Sequence, residues 1–202
     1  MNSDKKHVLI TGASGLLGHY LTQQFSDCRL TRLGRGEECE IKCDLEKETP
    51  DFTDVFSSGL DLVVHAAGTE EESHALSLNL EGTKRLLEAL SKVKVKQFVY
   101  ISSTAVYGKT EGTDITEDYH LWTGNKVGQS KVLAEEEVQK KCGESGTICT
   151  ILRPATMFGK EMKGWGQRMA GQGLTGSYFN IRDNDAKVSL VTAYDVARLV
   201  PL

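Results

Sequence analysis

The sequence lacks several features that would assign a chain to a special class. Its 202 residues contain no apolar stretch long enough to cross a bilayer, so a membrane-spanning protein is not expected. Lysine and arginine number 24 against 28 aspartates and glutamates, and this net charge of −4 argues against a nucleic-acid partner. The first six residues lack the apolar core of a signal peptide, so we expect a cytoplasmic protein.

Cysteine is also sparse and shows no metal-binding pattern. The five cysteines are odd in number and scattered, and the nearest pair, Cys39 and Cys43, is four residues apart without histidine partners. Zinc sites use tighter spacing and usually add histidine. We therefore expect reduced thiols and no metal site.

Apolar segments of strand length alternate with segments of helical spacing along most of the chain. This alternation predicts an α/β fold, a doubly wound parallel sheet (Rossmann-like) with helices on both faces. The predicted strands are 7–10, 28–33, 40–43, 62–64, 97–101, 147–152 and 188–191. The predicted helices are 17–25, 51–56, 76–90, 125–141 and one beginning at 195.

Three spaced glycines follow the first strand and open the first helix. Gly12, Gly15 and Gly18 leave backbone N–H groups free at the positive end of the helix dipole, where no side chain obstructs a pyrophosphate. Because the strand, the turn and the helix occur in the required order, the sequence predicts dinucleotide binding.

The residues after the second strand indicate which dinucleotide is bound. An acidic residue there would hold the ribose hydroxyls of NAD, whereas an arginine would meet the extra phosphate of NADP. The sequence offers Arg35, with Arg32 as a second candidate, so we expect NADP, with NAD possible. Asp44 follows the third strand, where it can accept hydrogen bonds from adenine. The small residues Ala66, Ala67 and Gly68 would let a flat cofactor lie close to the sheet.

Two further segments carry potential chemistry. The run from Ile101 to Gly108 ends a core strand with Ser102 and Ser103 at the crevice, and Val127 lies four residues before Lys131 on one helical face. With these residues the chain resembles the extended short-chain dehydrogenases/reductases that act as nucleotide-sugar epimerases, dehydratases and reductases. The resemblance covers residues 6 to about 159, with a weaker match at 188–196. Its matching motifs are Thr11-Gly12 to Gly18, Asp44-Leu45, Ala66-Ala67-Gly68, Asn79 with Gly82-Thr83, Ser102-Ser103 to Tyr107-Gly108, Ser130-Lys131 with Glu135, and Arg153-Pro154 to Gly159.

The resemblance implies roles for individual residues. Ser103 would hydrogen-bond the reacting oxygen of the substrate, and Lys131 would contact the nicotinamide ribose and lower the pKa of a catalytic tyrosine. That tyrosine belongs at position 127, where this chain has valine. The further cofactor-binding positions that the resemblance implies are Leu16, Leu17, Leu45, Asn79 and Pro154.

The resemblance implies an NAD(P)-dependent oxidoreductase or epimerase that acts on a nucleotide sugar or a related carbonyl compound. Helices on this fold often pair across a two-fold axis, so a homodimer is a further expectation. Three interpretations of Val127 stay open: a cofactor-binding regulatory or sensor protein, a proton supplied by Tyr119, His120 or a water on Ser103, or a degenerate copy with an active partner. The expected division is a dinucleotide-binding domain over 1–159 and a partial, truncated substrate-binding segment over 160–202.

Overall fold

The computed structural model describes residues 5–52, 55–108, 115–122, 124–160 and 189–200. The strands are β1 (His7–Thr11), β2 (Arg29–Gly34), β3 (Ile41–Lys42), β4 (Leu60–His65), β5 (Val95–Ile101), β6 (Ile148–Leu152), β7 (Thr156–Phe158) and β8 (Leu190–Thr192). The α-helices are α1 (Leu16–Gln24), α2 (Thr83–Leu90), α3 (Lys126–Ser145) and α4 (Ala193–Arg198). A π-helical segment (Ala75–Gly82) runs directly into α2, and a 3₁₀ turn spans Thr104–Tyr107.

Six strands form one parallel sheet in the order β3-β2-β1-β4-β5-β6. The chain starts in the middle, moves outward through β2 and β3, and then crosses back to build the other half from β4. The order therefore reverses beside β1, and in open α/β sheets such a switch point creates a crevice beyond the carboxyl ends of the strands. The predicted doubly wound parallel sheet is confirmed.

Each face of the sheet carries its own apolar core, because neighbouring side chains of a strand point to opposite faces. Leu9 of β1 packs toward α2 and α3, in a cluster with Leu86 and Val138. Val8 and Ile10 pack on the opposite face, in a cluster with Leu21 of α1 and Val196 of α4. Helices cover both faces, as predicted.

Two local predictions differ from the structure. The described residues 51, 52, 55 and 56 do not form the predicted helix 51–56, and residues 55 and 56 lie in a turn. Phe52 and Phe56 are both buried and their ring centroids lie 5.0 Å apart, so a turn satisfies a spacing that looked helical. The single predicted helix over 76–90 begins as the wider π-helical segment and becomes α-helical only at Thr83.

The described end of the chain returns to the first half of the sheet. Strand β8 pairs in parallel with β7, and α4 packs against α1. Most of the predicted substrate-binding segment, residues 161–188, lies outside the described residues, so the division at 159/160 stays a prediction. No helix in the described ranges is long and apolar enough to cross a bilayer.

Candidate functional site

A continuous cleft runs along the carboxyl edge of the sheet. One part, the glycine half, lies at the glycine turn and is lined by Gly12, Gly15, Arg35, Asp44, Leu45 and Ala67, among others. The other part, the lysine half, has a volume of about 490 Å³ and is lined by Ser103, Val127, Lys131 and Pro154, among others. Ala66 and Gly68 line both halves, so the two halves meet at the end of β4.

The glycine turn brings β1 into α1 by close backbone contacts. Gly12 has a φ of +72°, and a Cβ atom there would lie 2.6 Å from the Ala67 backbone nitrogen. Helix α1 begins at Leu16 without a side-chain cap and without an acidic residue in its first turn. Its first N–H groups are therefore open to an anion, which the helix dipole favours.

The outer end of the glycine half carries opposite charges. Arg35 and Asp44 both line it, and Asp44 pairs with Lys47 at 3.1 Å. Partial burial raises the pKa of Asp44, but the hydrogen bond from Lys47 and other contacts outweigh it, so the pKa lies below its ordinary value. Arg32, the second candidate for a phosphate, instead pairs with Glu40 at 2.5 Å, and this contact leaves Arg35 as the arginine at the cleft.

Small residues form the floor where the two halves meet. A Cβ atom on Gly68 would lie 2.9 Å from Asn79 Oδ1 and 3.0 Å from Lys131 Nζ. The absence of a side chain therefore lets the Gly68 backbone lie against these two polar atoms, and a flat nicotinamide dinucleotide fits this floor and the uncapped helix start. The described residues place no group of three or more His, Cys, Asp or Glu together as a metal ion would need.

Lys131 is the charged group at the floor of the lysine half. Its Nζ atom donates a hydrogen bond to the Ile101 carbonyl at 2.9 Å, and the residue is 7% exposed. Burial lowers the pKa of Lys131 to about 8, although the carboxylates of Glu135 and Glu70 oppose this shift. Ser103 lines the same half and caps the 3₁₀ turn by accepting a hydrogen bond from the Ala105 nitrogen at 3.1 Å.

Position 127 contributes an apolar wall. Val127 lies in the first turn of α3, one helical turn before Lys131, and both residues line the lysine half. Two proposed substitutes for the missing tyrosine, Tyr119 and His120, stack on one another and are absent from the described lining of this half. Tyr107 is also absent from it, and its hydroxyl accepts a hydrogen bond from Arg153 at 2.9 Å.

Four predicted cofactor residues lie beside the cleft rather than in its described lining. The side chains of Leu16 and Leu17 pack into the core around α1, and Gly18 lies against the Gly12 carbonyl oxygen. Asn79 is fully buried, and its Nδ2 atom donates to Ser130 Oγ at 3.0 Å. These residues can act through their backbone or through a neighbour.

A buried polar row, which the sequence analysis did not identify, connects the strands behind the cleft. The Ala67 N–H donates to Thr11 Oγ1, which lies 2.6 Å from His65 Nδ1, and His65 Nε2 lies 2.9 Å from Thr83 Oγ1. Thr83 Oγ1 donates its one hydrogen to the Asn79 carbonyl, so it accepts from His65 Nε2. Burial, with the charge of Lys131, lowers the pKa of His65 to about 3 and keeps the ring neutral.

The sequence profile of the NAD dependent epimerase/dehydratase family matches residues 8–201. The chain belongs to this family. The match extends across both halves of the cleft and reaches α4. It confirms the family-level resemblance predicted from the motifs.

Several curated members of the epimerase/dehydratase family are similar in sequence. UDP-glucose 4-epimerase of Bacillus subtilis (strain 168) is 33% identical over 156 residues, which are 64% of this chain and 46% of that protein. UDP-glucose 4-epimerase of Dictyostelium discoideum is 28% identical over 192 residues, 77% of this chain and 56% of that protein. A sterol-4-alpha-carboxylate 3-dehydrogenase of Candida albicans (strain SC5314 / ATCC MYA-2876) is 29% identical over 187 residues, which are 79% of this chain and 53% of that protein. The chain thus spans about half the length of these relatives.

Solved structures share the fold. UDP-glucuronic acid 4-epimerase from Bacillus cereus, in complex with UDP-glucuronic acid and NAD, superposes with a TM-score of 0.79 at 21% identity, over 95% of this chain and 71% of that one. MoeE5 in complex with UDP-glucose and NAD gives a TM-score of 0.80 at 24% identity, over 95% of this chain and 69% of that one.

Proposed function

We propose that this chain binds a nicotinamide dinucleotide along the cleft and transfers hydride to or from a nucleotide sugar or a related carbonyl compound. The observation that carries the proposal is the continuity of the cleft, since Ala66 and Gly68 belong to both halves. A dinucleotide is a long ligand, and an uninterrupted floor of small residues suits it. When bound, the cofactor supplies the hydride donor or acceptor.

The proposed contacts follow the geometry of the two halves. Backbone N–H groups from Gly12 to Gly18 hold the pyrophosphate, with Leu16 and Leu17 in that first turn. Asp44 and Leu45 border the adenine, and Lys131 faces the nicotinamide ribose. Ser103 donates a hydrogen bond to the substrate oxygen. The remaining proposed contacts come from Ala66, Ala67, Gly68, Pro154 and, through Ser130, Asn79.

We propose NADP rather than NAD as the preferred cofactor. Arg35 lines the glycine half at the position where a phosphate on the adenosine ribose would lie. The two solved structures of the same fold contain NAD, so binding of NADP and binding of NAD must be compared directly. Calorimetry with NADP⁺ and NAD⁺ decides it.

An Arg35→Ala variant tests the preference directly. Losing charge-assisted hydrogen bonds of about 1.5–3 kcal/mol should weaken NADP⁺ binding by about 10- to 100-fold, with NAD⁺ binding nearly unchanged. Arg32→Ala is the matched control, because its guanidinium pairs with Glu40, and it should preserve the preference. Equal affinity of the parent chain for both cofactors would contradict the assignment to NADP.

The UDP-sugar epimerases among the relatives suggest UDP-glucose as the first substrate to test. Conversion of UDP-glucose to UDP-galactose by the full chain with NADP⁺ or NAD⁺ can be followed by chromatography. A Val127→Tyr variant belongs in the same assay, because a positioned acid or base contributes about 10²- to 10⁴-fold to rate. A large gain would mean that the parent has lost its proton donor.

The second candidate is a non-catalytic NADP-binding regulatory or sensor protein, which Val127 favours. Cofactor binding without turnover in either the parent or Val127→Tyr would support it. The free thiols of the chain suit the cytosol as the proposed compartment. The predicted homodimer stays a prediction for analytical ultracentrifugation.

A further inference from the structure

The lysine half contains two titratable side chains among its described lining residues, Glu70 and Lys131. A reaction that moves a proton between a substrate oxygen and the protein needs a group that can exchange one. Val127 cannot exchange a proton, and serine or threonine hydroxyls can only relay one. The choice within this part of the cleft therefore lies between the carboxylate and the ammonium group.

Lys131 is already committed to the floor of the cleft. Its Nζ atom donates to the Ile101 carbonyl at 2.9 Å, lies 5.1 Å from the centre of the Tyr100 ring, and would contact any Cβ on Gly68. With a pKa of about 8, Lys131 is mostly protonated at pH 7, and because an ammonium group is a donor only, it then orients ligands and does not accept a proton. The carboxylate of Glu70 is close enough to raise the pKa of Lys131 against the effect of burial.

The loop that carries Glu70 is held from both sides. The Thr69 nitrogen donates to Asn79 Oδ1 at 2.8 Å, and Asn79 Nδ2 donates back to the Thr69 carbonyl at 3.0 Å. Asn79 Nδ2 also donates to Ser130 Oγ, on the residue before Lys131. The same buried amide thus fixes the backbone beside Glu70, a residue that is itself exposed, and the turn of α3 that carries Lys131.

We propose that Glu70 is the proton-transferring residue of this site, in place of the tyrosine that Val127 replaces. The inference rests on the proposed function. As the substrate carbinol is oxidised, its carbon-bound hydrogen leaves with the electron pair to the nicotinamide. The O–H bond breaks and its proton moves to the Glu70 carboxylate, leaving a carbonyl. Reduction returns that proton from Glu70 to the oxygen, while Ser103 hydrogen-bonds the oxygen and the Lys131 ammonium balances the charge of the carboxylate.

One test needs no turnover. The pKa of Lys131 can be followed by NMR on the full chain labelled with ¹³C-lysine, with Lys131→Met to assign the signal. Glu70→Gln should lower this pKa, because the variant removes a neighbouring negative charge. Glu71→Gln is the matched control, since Glu71 is exposed like Glu70 but absent from the described lining of the cleft, and it should leave the value unchanged. An unchanged value in Glu70→Gln would overturn the proposal.

The second test asks whether a tyrosine bypasses Glu70. With NADP⁺ and UDP-glucose as probes, Glu70→Gln should lower turnover by about 10²- to 10⁴-fold in the parent and by less than about tenfold in Val127→Tyr. Equal losses in both backgrounds, no loss in the parent, or NADP⁺ binding without conversion of UDP-glucose would each overturn the proposal. Calorimetry distinguishes failure of the Glu70 proposal from failure of the proposed function, because a parent chain that binds neither dinucleotide would contradict the proposed function itself.

Discussion

Gly68 lies where the two halves of the cleft meet, and two side chains, Asn79 and Lys131, lie close to where its Cβ atom would be. Gly68→Ala would push aside Asn79 Oδ1 and Lys131 Nζ, at 2.9 and 3.0 Å from the new methyl group. Both atoms are buried and hydrogen-bonded, so we expect a loss of about 1–3 kcal/mol in stability and roughly tenfold weaker NADP⁺ binding, measured by thermal unfolding and calorimetry.

Gly143→Ala is the control for that change. A Cβ atom at Gly143, inside α3 and exposed, would meet nothing within 4 Å. This variant should bind NADP⁺ like the parent and gain about 0.5–1 kcal/mol, because alanine favours a helix over glycine. NADP⁺ binding by Gly68→Ala as tight as in the control would refute the importance of the bare floor.

Lys131 should make the stability of the fold depend on pH. Burial lowers its pKa to about 8, so between pH 8 and its ordinary value of 10.5 the unfolded chain holds a proton that the folded chain has released. Stability from this group therefore rises with pH across that window, by about 3 kcal/mol in all, and is constant below it.

Lys131→Met removes this dependence. The difference in unfolding free energy between parent and variant should grow from pH 8 to pH 10 in urea titrations. Lys126→Met, which removes an exposed lysine of the same helix, is the control for the loss of an ammonium group that is not buried. A pH-independent difference for Lys131→Met would show that the ammonium is not desolvated.

At the scale of elements, a buried ion pair joins α3 to the segment after β6. Arg153 contacts Glu135 at 2.7 Å, Glu135 also accepts a hydrogen bond from Ser102, and Arg153 donates to Tyr107. Arg153→Met would strand a carboxylate that is 3% exposed, so we expect a loss of about 3–5 kcal/mol in urea denaturation.

Two further variants check that explanation. Adding Glu135→Gln to Arg153→Met should restore part of the stability, because the side chain at position 135 is then neutral and no buried carboxylate is left without its arginine. Lys141→Met breaks the half-exposed pair with Glu144 and should cost less than about 1 kcal/mol. Similar losses for the buried and the exposed pair would contradict the argument.

Elements with a clear apolar period were predictable from the sequence, whereas local geometry set by distant contacts was not. Strand β1, the glycine turn and α1 follow from neighbouring residues. The π-helical start of the 75–90 helix does not, because the same apolar stripe fits either helix type. The pairing of Arg32 with Glu40, across a turn, removed one of two candidate arginines, and no local pattern indicated it. The Asn79 and His65 contacts likewise depend on residues far apart in the chain.

At the scale of the whole molecule, α4 closes the core that covers the α1 face of the sheet. Val196 is 3% exposed and packs in that core. Val196→Ala should lower the free energy of unfolding by about 1–3 kcal/mol. Leu199→Ala, 65% exposed in the same part of the chain, should change it by less than about 0.5 kcal/mol. Equal effects in urea titrations would mean that α4 does not belong to this core.

In the row from Ala67 through Thr11, His65 and Thr83 to Asn79, the direction of every hydrogen bond is fixed. Each hydroxyl has a single hydrogen, so reversing one bond would require reversing its neighbours, and the amide at one end and the carbonyl at the other forbid that. The imidazole is thereby locked in one tautomer and unable to pick up a second proton near neutrality. The hydrogen bonds that join the ends of β1 and β4 to the start of α2 should therefore stay the same at any pH well above the His65 pKa of about 3.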